Sequence, residues 1–361
     1  MSRVRRISFA AILAAAIGAP AGVPAPIPRE VFPMTPASSR LPIEGNFPSL
    51  RGATAWLNSP PLTAEGLRGK VVLVDFWTFT CVNWLRTLPY VRAWAAKYKD
   101  KGLVVIGVHT PEFTVEHEIA NVRRAAEAMR VGYPVAVDND FGVWRAFNNN
   151  AWPAVYVADA QGRIRYHHLG EEEYERTERV IQQLLAEAGA TGVPTDLSAV
   201  EPRGTEVAAD WNDLKSGETY VGSEKAENFA SPGGASGKAQ AYTIPARLTL
   251  NRWGLAGEWT VGKEIATAGK PNARIAYRFH ARDVNLVMGP GKAGGPVRFR
   301  VLVDGHAPEA AHGTDTDAQG SGTVTEPRLY QLIRQPKPIV DRTFEIEFLD
   351  PGVDAFCFTF G

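Results

Sequence analysis

The sequence predicts an α/β domain followed by an all-β sandwich. Strand and helix patterns alternate from about residue 45 to residue 190, which is typical of an α/β layer. From residue 218 onward the apolar residues alternate with polar ones in short segments such as 298–303 (RFRVLV) and 343–348 (TFEIEF), separated by Gly, Pro and Asp. Period-two segments of this kind indicate a β-sandwich. Between the two, residues 191–217 lose periodicity and predict a linker.

The composition excludes several classes of protein. The chain has 361 residues with 39 basic and 39 acidic side chains, so its formal net charge is zero. Nucleic-acid binders usually carry a clustered basic face, and this balance gives no sign of one. Two cysteines are too few for a disulfide scaffold, and the histidines lack the spacing of a zinc site. We therefore predict no metal and no cofactor.

The N-terminus has the pattern of an export signal. Arg3, Arg5 and Arg6 precede a short apolar run, and small residues follow it. This pattern predicts a signal peptide over residues 1–25 and a periplasmic or secreted protein. An uncleaved anchor, the only membrane attachment the sequence offers, or a disordered Ala-rich start remain alternatives. Residues 26–44 are Pro-rich and predict an extended tether.

The α/β segment has readable elements. Residues 70–77 (KVVLVDFW) predict a buried central strand, and Cys81 opens a helix that contains Pro89. Further strands are predicted at 102–108, 133–137, 154–158 and 163–167. Apolar residues at helical spacing, including Ile119, Val122 and Ile181, predict two more helices, the last of which stops near Gly189.

Cys81 is the first candidate for chemistry. Unpaired N–H groups and the dipole at a helix N-terminus stabilise an anion, so this position predicts a thiol pKa below the ordinary value. A thiolate is the form that attacks disulfides and peroxides.

The motifs around Cys81 resemble those of the thioredoxin superfamily. Asp75, within VDFW, lies six residues before Cys81, and Pro89 follows it by eight. Trp152-Pro153 precedes the strand AVYV, as the cis-proline of that superfamily does. GVHTPE at 107–112 and the pair at 138–139 (DN) are more similar to TlpA-like redoxins, above all to the C-terminal region of DipZ-type interchange proteins.

This resemblance covers about residues 45–361. It implies a thioredoxin-like domain at 45–190 and a carbohydrate-binding-module-like, jelly-roll-like sandwich at 218–361. It implies catalytic roles for Cys81 as nucleophile, Asp75 as buried proton acceptor and Pro153 as a cis-proline beside the thiol. The substrate-binding candidates are the aromatic and polar residues expected around the pocket, namely Trp77, Trp84, Trp152, His109 and Glu112.

One departure from the family changes the expected reaction. The family motif is Cys-x-x-Cys, whereas residues 81–84 read CVNW, so Trp84 replaces the resolving thiol. We therefore expect a single thiol that acts on disulfides or oxidised thiols and needs an external thiol as reductant. Cys357 lies on a predicted strand of alternating pattern, where it points to one face while Phe356, Phe358 and Phe360 point to the other. We interpret Cys357 as a packed apolar residue of the sandwich. A disulfide with Cys81 is the alternative.

Two other functions remain open. The redoxin domain can be a degenerate scaffold that binds a peptide or protein through its proline loop, while the sandwich binds a glycan or protein. Aromatic residues of the sandwich can form a sugar platform, although they more often fill a core. A monothiol peroxidase is the third possibility. Thr78-x-x-Cys81 resembles a peroxiredoxin motif, but Val74 stands where that motif has proline.

Overall fold

The computed structural model describes residues 40–292 and 294–361. The predicted signal peptide and residues 26–39 of the tether lie outside this part of the chain. In the described part, no helix has both the length and the hydropathy of a membrane span.

Residues 45–187 form a seven-stranded sheet with helices. Strands β3, β4 and β5 are parallel, and the strand order is β1-β7-β6-β3-β4-β5-β2. Pairing is antiparallel for β6 on β3, β7 on β6, β1 on β7 and β2 on β5. The elements are β1 (Gly45–Asn46), β2 (Ala55–Leu57), β3 (Val71–Trp77), α1 (Val82–Tyr98), β4 (Leu103–His109), α2 (Ile119–Ala128), β5 (Val135–Val137), α3 (Gly142–Ala146), β6 (Ala154–Ala158), β7 (Arg163–Leu169) and α4 (Tyr174–Glu187).

This arrangement confirms the predicted α/β architecture. Strand β3 is buried along its whole length, as its continuous apolar run requires. Helix α1 begins directly after Cys81 and continues through Pro89. Gly189, with a φ of 85°, follows the end of α4 as the sequence predicts. Because β3 and β4 are parallel neighbours, their carboxyl ends bring the segments before α1 and after His109 to one edge of the sheet.

The C-terminal region is a curled sheet of eleven strands in which every pairing is antiparallel. Its main path runs β15-β14-β17-β12-β10-β11-β18-β13-β16, with β8 on β18 and β9 on β10. The strands are β8 (Thr219–Tyr220), β9 (Ala239–Tyr242), β10 (Trp253–Val261), β11 (Ala266–Ala268), β12 (Ala273–Phe279), β13 (Asp283–Pro290), β14 (Val297–Val303), β15 (Ser321–Val324), β16 (Arg328–Arg334), β17 (Arg342–Phe348) and β18 (Val353–Phe360).

The curl is centred on β10. The first half of β10, up to Ala256, pairs with β12. From Gly257 onward β10 pairs with β9 on one side, and from Trp259 onward it pairs with β11 on the other. Gly257 has a φ of 85°, and a Cβ there would lie 3.1 Å from the Cα of Ala273. A glycine at this corner lets one strand serve both halves of the sheet. The two halves then enclose one apolar core that includes Trp259, Tyr277 and Phe344, which confirms the predicted all-β domain.

A second cluster joins the sandwich to the α/β sheet. Phe356 and Cys357 of β18 pack into the same buried cluster as Leu85 of α1 and Phe113. The predicted alternation, with Phe356 and Cys357 on opposite faces, is therefore wrong. The pairing of β13 with β18 shifts between Val287 and Met288, and this bulge leaves Phe356 without a partner in that ladder and turns it toward the α/β sheet.

The segment predicted as a linker has one 3-10 turn, Gly204–Glu206, and no strand or α-helix. It is held against the helices of the first sheet by polar contacts. Arg92 of α1 contacts Glu206 at 2.5 Å, and Ser198 donates its N–H and hydroxyl to Glu178 of α4. The domain limits at residues 190 and 218 stay predictions.

The joint between the two sheets predicts a large cost for removing Phe356. Its ring is fully buried, 5.4 Å from that of Phe113. We expect Phe356→Ala to lower the free energy of unfolding by about 3–5 kcal/mol, measured by urea denaturation. Val340→Ala, at a side chain 37% exposed, should change it by less than about 0.5 kcal/mol. Equal effects of the two substitutions would contradict this view of the joint.

Candidate thiol site

Cys81 occupies the N-cap of α1. Its carbonyl accepts the N–H of Leu85 at 3.0 Å, and its own N–H donates to the carbonyl of Thr78 at 3.2 Å. The residue is half-buried. The buried strand β3 and the turn at Thr78 together fix where this thiol stands.

The proline loop faces the thiol. The Trp152–Pro153 peptide bond is cis, which confirms the prediction. The Sγ of Cys81 lies 3.9 Å from the carbonyl oxygen of Trp152. The half-buried Trp152 ring is held in place because its Nε1 donates to the carbonyl of Thr110 at 3.1 Å. The structure thus brings Cys81, Trp152 and Pro153 together.

Behind the thiol, Trp84 binds the buried carboxyl of Asp75. The indole Nε1 donates to Oδ2 of Asp75 at 2.9 Å, and the hydroxyl of Tyr133 lies 3.5 Å from the same oxygen. The other oxygen, Oδ1, has no partner among the described residues. Desolvation raises the pKa of Asp75 to about 7, although the bonds from Trp84 and Tyr133 act in the opposite direction. The indole N–H is therefore bonded to the carboxyl that, in the family, accepts the proton of the resolving thiol.

Three of the predicted substrate contacts are buried. The rings of Trp77 and Trp84 stack 4.3 Å apart, and neither is exposed. Strand β4 carries Gly107 opposite them, where a Cβ would lie 2.8 Å from Nε1 of Trp77. As direct substrate contacts both tryptophans are wrong predictions, because this stack turns them into the core.

His109 is also absent from the pocket rim. It is fully buried between Trp77 and Phe79, with ring centroids 4.8 and 5.7 Å away. Within the described part of the chain neither ring nitrogen has a hydrogen-bond partner, and desolvation lowers the pKa of His109 to about 3. The imidazole is thus neutral and packed, and its predicted role as a rim residue is wrong.

Glu112 lies where the two sheets meet. Its carboxyl accepts a short hydrogen bond from the hydroxyl of Tyr220 on β8 and lies 4.0 Å from Nζ of Lys225. Desolvation raises the pKa of Glu112 to about 7, with smaller contributions from the charges of Glu218 and Glu116. Its charge acts on the Cys81 thiol, and its role in substrate binding stays a prediction.

A second carboxyl, which the sequence does not single out, connects the loops around the thiol. Glu116 is fully buried, and its Oε1 accepts the Thr80 hydroxyl at 2.6 Å. Its Oε2 accepts the N–H groups of Glu112 at 2.6 Å and Phe113 at 2.9 Å. Desolvation raises the pKa of Glu116. This side chain holds the segment before Cys81 against the segment that carries Glu112.

The prediction of a low thiol pKa is wrong. Desolvation raises the pKa of Cys81, and the negative charges of Glu112 and Glu218 raise it further. The N–H groups of Asn83 and Trp84 at the start of α1 act in the opposite direction without prevailing. The thiol is therefore neutral at neutral pH.

Cys357 does not pair with Cys81. Both cysteines are free, and Cys357 is buried. It packs with the cluster that joins the two sheets, so the prediction of a buried apolar role is confirmed but its location in the sandwich core is wrong.

The aromatic residues of the sandwich are mostly core. Tyr242, Trp253, Trp259, Tyr277 and Tyr330 are buried, whereas Trp211, in the segment before the sandwich, is 49% exposed. These buried rings offer no stacking platform for a sugar. Within residues 40–292 and 294–361, no group of three or more His, Cys, Asp or Glu side chains is placed to hold a metal ion.

A cysteine at a helix N-cap, facing a cis-proline and backed by a buried aspartate, defines a thioredoxin-type thiol site. Comparison with known families agrees with this geometry. Residues 44–185 match the Redoxin family, and residues 216–361 match the family described as Thioredoxin like C-terminal domain.

Curated relatives extend the match. Protein DipZ of Mycobacterium bovis and of Mycobacterium tuberculosis are each 39% identical over 249 residues, which is 68% of this chain and 35% of the relative. The chain thus spans about a third of their length. Thiol-disulfide oxidoreductase YkuV of Bacillus subtilis is 33% identical over 142 residues, 39% of this chain and 95% of the relative. The chain belongs to the redoxin family of thioredoxin-like proteins.

The buried Asp75 predicts a pH-dependent stability. Because its pKa rises from 3.8 to about 7 on folding, its contribution is present below pH 3.8 and is lost as the pH rises through 7. That shift corresponds to about 4 kcal/mol. We expect Asp75→Asn to gain roughly this much over the wild type between pH 4 and pH 8, measured by urea denaturation.

The control for this measurement is Asp140→Asn, which removes a carboxyl from an exposed position. Its difference from the wild type should stay constant over the same pH interval. A constant difference for Asp75→Asn as well would show that Asp75 titrates normally.

Proposed function

We propose that this protein is a thiol-disulfide oxidoreductase that reacts through Cys81 alone. One observation carries the proposal. The Sγ of Cys81 stands 3.9 Å from the carbonyl that precedes cis-Pro153, while Trp84 fills the position of the second family cysteine. The site therefore has an attacking thiol and a substrate loop but no resolving thiol among the described residues.

The reaction proceeds by two exchange steps. The Cys81 thiol loses its proton, and the sulfur attacks one sulfur of the substrate disulfide. The S–S bond breaks, the leaving sulfur takes the electron pair and then a proton, and a mixed disulfide remains on Cys81. An external thiol attacks this mixed disulfide and restores the Cys81 thiol. Full reduction of the substrate consumes a second external thiol.

The proline loop supplies the substrate contact. A strand of substrate can pair with the exposed backbone of such a loop, where main-chain bonds give affinity. The carbonyl of Trp152 accepts a weak hydrogen bond from the thiol, so a substrate strand that pairs with this loop would lie close to the Cys81 sulfur. Among the predicted aromatic substrate contacts, Trp152 alone is partly exposed. We therefore keep it as the proposed aromatic contact for the substrate.

The raised pKa of Cys81 favours a second candidate, a binding module. A neutral thiol is a poor nucleophile, whereas the cis-proline loop can bind a peptide without it. In this case the Cys81→Ser variant keeps its affinity for a cysteine-free copy of the substrate peptide, measured by calorimetry, and no mixed disulfide forms. A peroxidase reaction would instead leave a sulfenic acid on Cys81 that a dimedone probe traps.

We also propose export to the periplasm or exterior, with oxidised proteins as substrates. The support is the pattern at the N-terminus and the similarity to Protein DipZ. A fusion of residues 1–45 to a reporter that is active only outside the cytoplasm tests this proposal.

The single-thiol reaction predicts a stable intermediate. With a disulfide-containing peptide and no added thiol, wild-type protein should accumulate one mixed disulfide on Cys81, seen by mass spectrometry, faster as the pH rises. Added thiol should release it. Cys81→Ser should show neither step, and rapid release without added thiol would refute the proposal.

Trp84→Cys tests the vacant second position. We expect this variant to release the peptide internally and to form a disulfide between Cys81 and the introduced thiol, as a dithiol site does. Trp84→Ser is the matched control, because it leaves the same cavity and the same unpaired Asp75 carboxyl without a thiol. Equal behaviour of the two variants would show that residue 84 does not face Cys81 productively.

A further inference from the structure

Tyr220 bridges two carboxyls at the joint between the two sheets. Its hydroxyl lies within hydrogen-bond distance of Glu112, which follows β4, and 3.1 Å from Oε2 of Glu218, which precedes β8. Glu112 belongs to the redoxin part of the chain, whereas Glu218 and Tyr220 belong to the sandwich. These three residues are called the bridge group below.

Two separate hydrogen bonds in the bridge group would need an extra proton. A tyrosine hydroxyl carries one hydrogen and can donate it to one carboxylate only. The second contact is then a hydrogen bond only if that carboxyl is protonated and donates to the hydroxyl oxygen. Glu112 is half-buried and Glu218 is exposed. Desolvation raises the pKa of both carboxyls, which agrees with this geometry.

The bridge group is linked to the segment that carries the thiol. Glu116 accepts the N–H of Glu112 at 2.6 Å and the hydroxyl of Thr80, the residue before Cys81, at 2.6 Å. The charges of both Glu112 and Glu218 act on Cys81. We propose that Glu112, Tyr220 and Glu218 share one proton and thereby hold a single negative charge next to Cys81, which makes Tyr220 and Glu218 positioning residues of the thiol site. The inference rests on the proposed function, since it concerns the same thiol.

Other charged groups surround the bridge group. Lys225 lies 4.4 Å from the Tyr220 ring and 4.0 Å from Glu112, and the buried Glu116 holds the backbone of Glu112. A pocket of about 140 Å³ beside Tyr220 is also lined by Glu224, Lys263 and Glu264. Cys357 pairs with Tyr220 across β8 and β18, and the neutral His109 ends β4.

A shared proton predicts a specific pattern of alkylation rates. At pH 6.5, Glu112→Gln or Glu218→Gln removes one carboxyl together with the shared proton, so one negative charge remains in either variant. Each single substitution should then change the rate of Cys81 alkylation by iodoacetamide by less than about 1.5-fold, whereas the double variant should react about three-fold faster. At pH 9 both carboxyls are ionised, so each single substitution should accelerate the reaction and the two effects should multiply.

Three controls complete the experiment. Glu224→Gln removes an exposed carboxyl of the same pocket and should match the wild type at both pH values. Cys81→Ser confirms that the labelled residue is Cys81. Tyr220→Phe keeps the ring but loses the hydroxyl, and in that background the single substitutions should no longer be silent at pH 6.5.

A measurement on the wild type does not depend on any variant folding. Iodoacetate is an anion and iodoacetamide is neutral, so the ratio of their rates reports the charge near Cys81. The ratio should fall between pH 6 and pH 9 as the bridge group loses its proton. A constant ratio, or multiplicative single effects at pH 6.5, would overturn the inference. Because alkylation needs no disulfide turnover, this result and a failure of the exchange reaction are separate outcomes.

Discussion

The hydrogen bond between Trp84 and Asp75 is the contact on which the thiol site depends. A carboxyl inside a sheet core has a large desolvation cost, which a good donor partly offsets. The indole supplies that donor at 2.9 Å and stacks on Trp77, so it ties the first turn of α1 to strand β3. Cys81 is held where it is because the residue three positions later is anchored in this way.

Two opposing effects act on the pKa of Cys81, and the larger one determines its direction. A helix N-terminus stabilises an anion by about 0.3–1 kcal/mol at an exposed position. Removing a charge from water costs several kcal/mol, and neighbouring carboxylates add repulsion. Glu112 and Glu218 supply that repulsion here. Position at a helix terminus alone therefore does not make this cysteine a thiolate.

The sequence predicts what local patterns determine. Strands β3 and β4 and helix α1 follow from apolar runs and short motifs, and the cis bond before Pro153 follows from the resemblance to the thioredoxin superfamily. The local pattern does not predict the burial of Trp84 and His109, because an aromatic residue in the first turn of a helix or at the end of a strand can face either the core or solvent. Tyr220 and Glu218 are more than a hundred residues away from Glu112 in the sequence and approach it only in the folded chain. No local pattern predicts this contact. The bulge at Phe356 likewise arises only when β18 pairs with β13.

The exchange of cysteine for tryptophan changes more than the count of thiols. A dithiol site leaves its buried aspartate free to accept a proton from the resolving thiol. Here the indole N–H occupies that oxygen permanently, since an indole donates and does not accept. The other oxygen, Oδ1, has no partner among the described residues, so the carboxyl of Asp75 can still take a proton there. Glu112 and Glu218, at the joint with the sandwich, are further carboxyls whose charges act on Cys81.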